Sequence, residues 1–128
     1  MPLPVNESKL ASKLRELLDF EYVDKIWVVG SLVEENEEFT QSSDIDIICK
    51  TSLVSGERNE FMDVQSDEVQ TLLKNPEDVW GEPSEGVELE YNIPVVVDGS
   101  EFHPHVHLIA IHPERDIHLV SGTAVRIY

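Results

Sequence analysis

Two short apolar runs constrain this chain more than any other feature: Lys25-Ile-Trp-Val-Val-Gly30 and Asp44-Ile-Asp-Ile-Ile-Cys49. Each is too short for a helix and rich in β-formers, so each is predicted to be a buried strand. Residues 7–19 precede them and place Leu10, Leu14, Leu17 and Leu18 at helical spacing on one apolar face. Residues 31–43 are polar and acidic without a sustained period and read as a loop with room for one helical turn. Ser66 is predicted to cap a helix through Lys74, with Asp67 and Glu68 in its first turn and Val69, Leu72 and Leu73 on one face. Pro76 ends it. Residues 76–86 read as a loop.

Downstream, Val87 to Tyr91 alternates with period two, and residues 93–97 extend it. Asp98-Gly99 marks a turn, and His105 to Ile111 is predicted to pair back as the other arm of a hairpin. Thr123 to Tyr128 reads as a last short strand. The order helix, strand, strand, helix, hairpin predicts an α+β (mixed α/β) fold. At 128 residues the chain fits a single domain over residues 1–128, and 41% hydrophobic content argues against disorder.

Charge narrows the possible functions. With 26 acidic and 9 basic residues the formal charge is -17. Broad nucleic-acid binding relies on lysine and arginine neutralising phosphates, and no basic stripe exists, so the charge argues against that class. Phosphate remains accessible to such a chain where a divalent cation lies between. No apolar run approaches the ~18–20 residues that span a bilayer. The opening segment MPLPVNESKL has no secretory pattern. Cys49 stands alone, which excludes an internal disulfide. The expectation is a soluble, cytoplasmic chain with no membrane partner.

The chemistry concentrates on the two strands. Asp44 and Asp46 stand at i and i+2, so their carboxylates share a face. Two carboxylates that close repel unless a cation sits between them, and Mg²⁺ prefers such oxygen sites, completed by substrate phosphates. Gly30 closes the preceding strand, where it lets backbone N–H groups approach a ligand, and the Ser31 hydroxyl adds a donor. A small phosphate-binding turn beside a metal-binding carboxylate pair suits phosphoryl or nucleotidyl transfer.

Gly30-Ser31 followed by Ser43-Asp-Ile-Asp-Ile47 resembles the signature of the nucleotidyltransferase superfamily with the DNA polymerase beta fold. Minimal nucleotidyltransferases, CCA-adding enzymes and poly(A) polymerases share it. The resemblance covers residues 25–49 and extends toward residue 111. It implies a central mixed sheet with a Gly-Ser strand and an Asp-x-Asp strand, helices on one side, and a C-terminal hairpin. It implies that Gly30, Ser31 and Ser43 bind a nucleotide triphosphate and that Asp44 and Asp46 hold two Mg²⁺ ions. The reaction implied is transfer of a nucleoside monophosphate to a hydroxyl acceptor. A partner protein or a homo-oligomer would supply what so short a chain lacks.

The family's third carboxylate has no single counterpart. Val106-His107-Leu108 puts a histidine at that place, and Glu88 and Glu90 on the preceding strand are the alternative ligands. The loop after Gly30-Ser31 also departs from the family, being long and acidic with Glu34, Glu35, Glu37 and Glu38. These departures leave a second reading, a catalytically degenerate, antitoxin-like binding or regulatory module. A third is a histidine-rich metal-binding β protein. His103, His105 and His107 would share a face on a continuous strand, where His105 and His107 could bind Zn²⁺; the plain alternative is a solvated strand face. Cys49 reads as a buried hydrophobe, Trp27 and Trp80 as core or rim, and Lys50 as a phosphate contact or a surface residue.

Overall fold

Leu10, Leu14 and Leu18 are fully buried, and they anchor the first element to the sheet. In the computed structural model, which describes residues 7–34, 38–54, 70–75, 87–89, 94–119 and 122–128, helix α1 spans Glu7–Leu17. It stops short of residue 19 because the next residues are used otherwise. Leu18 pairs with Leu73 as an isolated bridge, and the Asp19 side chain caps a short 3₁₀ turn at Phe20–Tyr22. Lys74 Nζ donates to the Arg15 carbonyl at 2.7 Å, satisfying one open acceptor at the helix end.

That pairing corrects the helix expected to end at Lys74. Residues 70–72 are helical, but Leu73 is extended beside Leu18. Leu72 and Leu73 are both buried, so the chain exchanges its last helical turn for docking on α1. The expected start at Ser66 lies outside the described residues.

Among the described residues seven strands follow in chain order: β1 (Val23–Val29), β2 (Ile45–Thr51), β3 (Val87–Leu89), β4 (Val95–Val97), β5 (Ser100–Phe102), β6 (Val106–Ile111) and β7 (Val125–Arg126). Five form a sheet in the order β3-β6-β2-β1-β7. β2 and β6 are parallel; the other neighbours are antiparallel. The fold is thus mixed α+β around a central mixed sheet, as the resemblance implied, and the expected tail strand is β7. One sheet face carries Val28, Ile47 and Leu108 at 0–1% exposure, next to Ile26, Cys49 and Ala110. No helix among the described residues is long and apolar enough to cross a membrane.

The hairpin differs from expectation. Asp98-Gly99 does turn the chain, with both residues at positive φ (51° and 81°), the conformation a two-residue hairpin loop favours. Its second arm is β5, and β4–β5 forms a separate two-stranded sheet. β6 instead inserts between β2 and β3. The physical reason is burial: five of its six residues are buried, and a strand apolar on both faces belongs inside a sheet.

Lys50 and Cys49 sit inside as well. Lys50 is buried rather than on the surface, with its ammonium 5.0 Å from the Trp27 ring centre. Burial, and then Lys25 beside it, pulls its pKa down. Burial, with Asp24 adding, pushes the Cys49 thiol up to about 12, so it is inert as a nucleophile at neutral pH. Trp27 belongs to the core, and Trp80 lies outside the described residues.

Candidate active site

One row across the sheet collects the chemistry. Strand register sets Val29 opposite Asp46, Asp46 opposite His107, and His107 opposite Glu88. Directly paired residues project to the same face, so four strands bring Gly30's turn, an aspartate, a histidine and a glutamate to one edge. Asp44 and His105 lie just before β2 and β6. The Ile45 amide donates to the His105 carbonyl at 2.9 Å, which continues the β2–β6 pairing by one step and sets His105 beside Asp44.

Gly30 has φ +78°, a conformation costly for any residue with a Cβ. It opens a 3₁₀ turn at Gly30–Leu32, closed by Val33 and Glu34 N–H groups that each donate to the Gly30 carbonyl at 3.0 Å. A Cβ at Gly30 would overlap the Asp46 carboxylate, with Asp46 Cγ only 3.0 Å away. The turn and the carboxylate are therefore one packed unit. Ser31 stands second in that turn and is partly exposed.

Asp46 is oriented from the other side by His107, whose Nδ1 lies 3.3 Å from Asp46 Oδ1. Asp44, Glu88 and His105 form a second group, with one ligand atom from each lying within 4.8 Å of the others. Glu88 reaches this group diagonally from β3. Its Oε2 is buried and meets no hydrogen-bond donor. Burial first, then the hydrogen bond and charge of Asp44, with Asp46 adding and His107 opposing, push the Glu88 carboxyl up to about 7. The two carboxyls share a proton or repel; a divalent cation would satisfy both, and the donor set of three carboxylates with imidazole nearby fits one.

The candidates for a third ligand thus separate. Glu88 joins Asp44, and His107 holds Asp46. Glu90 lies outside the described residues. The histidine row does not form as a continuous strand face, because Pro104 precedes the strand and β6 begins at Val106. His103 is exposed and pairs with Glu101 at 3.2 Å. His105 and His107, expected together, go to different carboxylates. The Ser43 hydroxyl is engaged locally, accepting from the Thr40 amide at 2.9 Å.

Sequence reasoning missed two features. One is the company His105 keeps; the matching parity of residues 44 and 46 with 105 and 107 is its only trace. The other is Glu34, which the acidic loop concealed. Its carboxylate accepts from the Thr123 amide and hydroxyl, each at 3.2 Å, tying the Gly30 turn to the C-terminal segment. Thr123→Val is expected to lower the urea midpoint by an amount worth about 1 kcal/mol, with Thr123→Ser restoring it. Residues 35–37 lie outside the described residues.

The Glu88 carboxyl also sets a pH dependence. Its folded pKa of about 7 lies above the ordinary 4.5. The folded state then binds the proton more tightly, so this contribution to stability is full below pH 4.5 and is lost as pH rises through 7. In chelator, Glu88→Gln should escape that loss. Thermal melts are expected to show the variant gaining on the wild type across this window, and equal slopes would contradict the assignment.

Comparison with curated proteins finds no match, and comparison with solved structures finds none either. The nucleotidyltransferase domain family does match, over residues 8–110. That stretch runs from α1 through the Gly30 turn and the central strands to Ala110, and with a match across most of its length the chain belongs to the nucleotidyltransferase domain family.

Proposed function

We propose that this domain transfers a nucleoside monophosphate from a nucleotide triphosphate to a hydroxyl acceptor. The observation that carries the reading is the contact between Gly30 and the Asp46 carboxylate, which makes the phosphate turn and the carboxylate cluster one site. In this reading the N–H groups of the Gly30–Leu32 turn and the Ser31 hydroxyl bind phosphate oxygens. Ser43 braces the approach to β2 through Thr40. Asp44, Asp46 and Glu88 hold divalent cations, with Mg²⁺ the ion their oxygens favour. Bound divalent ions supply charge neutralisation at the α-phosphorus and lower the pKa of the acceptor hydroxyl. The acceptor oxygen forms its bond to that phosphorus while the bond to pyrophosphate breaks, and His107 keeps Asp46 in position. A partner protein or a second copy would present the acceptor.

His107 beside Asp46 favours one second reading, nucleotide binding without transfer. Pyrophosphate release separates the two, because it is common to every acceptor. With an α-labelled nucleotide triphosphate, Mg²⁺ and a panel of hydroxyl-bearing peptides and polyols, release and label transfer are expected. Both should fall on the order of 10³-fold in Asp44→Asn. Nucleotide binding with no release in the wild type would overturn transfer in favour of the binding module.

A further inference from the structure

We propose that Asp44, Glu88 and His105 form a mixed oxygen–nitrogen seat for one divalent ion, and that His105 biases this seat toward a borderline transition ion such as Zn²⁺ over Mg²⁺. The inference deepens the proposed function: it rests on that reading for the place of the site, but not for turnover.

The geometry makes three ligand atoms converge from three elements. Their mutual separations stay within 4.8 Å. Three ligands about an ion at ~2.1 Å lie at most about 3.6 Å from one another, so closure needs each arm to move inward by up to about 0.7 Å. The backbone already holds the arms in place. The Ile45–His105 hydrogen bond fixes His105 beside Asp44, and β3–β6 pairing brings Glu88 across. The Glu88 carboxyl is hydrogen-bonded to Asp44, and its buried Oε2 has no donor of its own, which leaves that oxygen available to an ion.

The chemistry of the donors then selects the ion. A seat of carboxylates alone suits Mg²⁺, which holds its water and accepts oxygen. Imidazole is a borderline ligand, favouring ions late in the first-row series, and it adds a strong donor without adding charge. His107 does not make the same contribution, since its Nδ1 is directed at Asp46 Oδ1, and a histidine so placed orients a ligand rather than replacing one. His103 is turned to Glu101 and lies outside the group.

Titration of the full chain with Zn²⁺, Co²⁺ and Mg²⁺, without nucleotide, tests this. Calorimetry is expected to show one Zn²⁺ bound more tightly than Mg²⁺, and Co²⁺ should give a visible d–d spectrum carrying a nitrogen ligand. His105→Ala, and His105→Asn as a second variant, should weaken Zn²⁺ by at least about tenfold while leaving Mg²⁺ close to unchanged. Asp44→Asn should weaken both ions, and His103→Ala neither. A Zn²⁺ to Mg²⁺ preference that His105→Ala leaves intact overturns the inference, as does a Co²⁺ spectrum indifferent to it. Such a result together with label transfer leaves the proposed function standing. His105-dependent Zn²⁺ binding without pyrophosphate release does the reverse.

Discussion

Gly30→Ala is expected to reduce stability and transfer together, and by large amounts. Two costs coincide at this residue. Its φ of +78° is a left-handed conformation that costs an L-residue roughly 1–2 kcal/mol. The added Cβ would also run into the Asp46 carboxylate, and forcing an atom into a filled space costs roughly 1–3 kcal/mol. The sum, about 2–5 kcal/mol, is a substantial part of an ordinary domain stability of about 5–15 kcal/mol. Relief requires moving the turn or moving Asp46, and a misplacement of about 1 Å at such a centre costs on the order of 100-fold in rate. Urea titration and pyrophosphate release measure the two effects. A double-mutant cycle separates their causes. In an Asp46→Ala background the overlap with the carboxylate disappears and only the tight contact with the Cβ of residue 46, at 3.2 Å, remains, so Gly30→Ala should then cost less, closer to the roughly 1–2 kcal/mol of the backbone conformation alone. An equal cost in both backgrounds would show that Gly30 and Asp46 do not share the space described.

The parts of this site were legible to different degrees. Asp44, Asp46 and Gly30 stood out because period-two spacing and a strand-closing glycine are local features, carried by a few adjacent residues. What Gly30 meets was not local. The β1–β2 register that sets Val29 opposite Asp46 comes from packing both strands into one core, and no short stretch of sequence states it. Glu88 and His105 were visible as candidates for the same reason of spacing, yet their partnership depends on β3 and β6 lying side by side. The hairpin shows the opposite case. Asp98-Gly99 specified its turn correctly, but the polar Ser100–Phe102 is too short and too hydrophilic to announce a strand. The more apolar Val106–Ile111 drew the pairing to itself, although its two buried faces required a central place between two neighbours.

The net charge of -17 also acquires a local meaning. Part of the acidic surplus is structural: Glu34 is bound to Thr123, and Asp19 caps the Phe20–Tyr22 turn. Another part is gathered where Asp44, Asp46 and Glu88 crowd one edge of the sheet. Without a cation that crowding works against the fold, adding to burial, the larger cause, in raising the Glu88 carboxyl. On the proposed reading, the same crowding is what attracts a divalent cation at neutral pH. On that reading function and stability are linked through one set of side chains, and removing a single charge from it should act on both with opposite signs.

Asp46→Asn exposes that linkage. In chelator near pH 8 the substitution removes one of the charges that Glu88 feels, and the amide can still hydrogen-bond His107 from the Oδ1 position, at 3.3 Å in the wild type. Its melting temperature is expected to equal or exceed that of the wild type. Saturating divalent cation reverses the order. An ion present at 100 times its dissociation constant stabilises the wild type by about 2.7 kcal/mol, while the variant, which keeps Asp44, Glu88 and His105 but lacks the Asp46 carboxylate, gains less. Transfer should fall on the order of 10³-fold in the same variant, without loss of the folded state to account for it. Melts with and without cation, paired with release assays, read all three quantities. If Asp46→Asn were destabilising in chelator and the gap did not widen with cation, Asp46 would be a structural hydrogen-bonding partner of His107 rather than part of a cation site, and the carboxylate edge would have to be assigned to Asp44 and Glu88 alone.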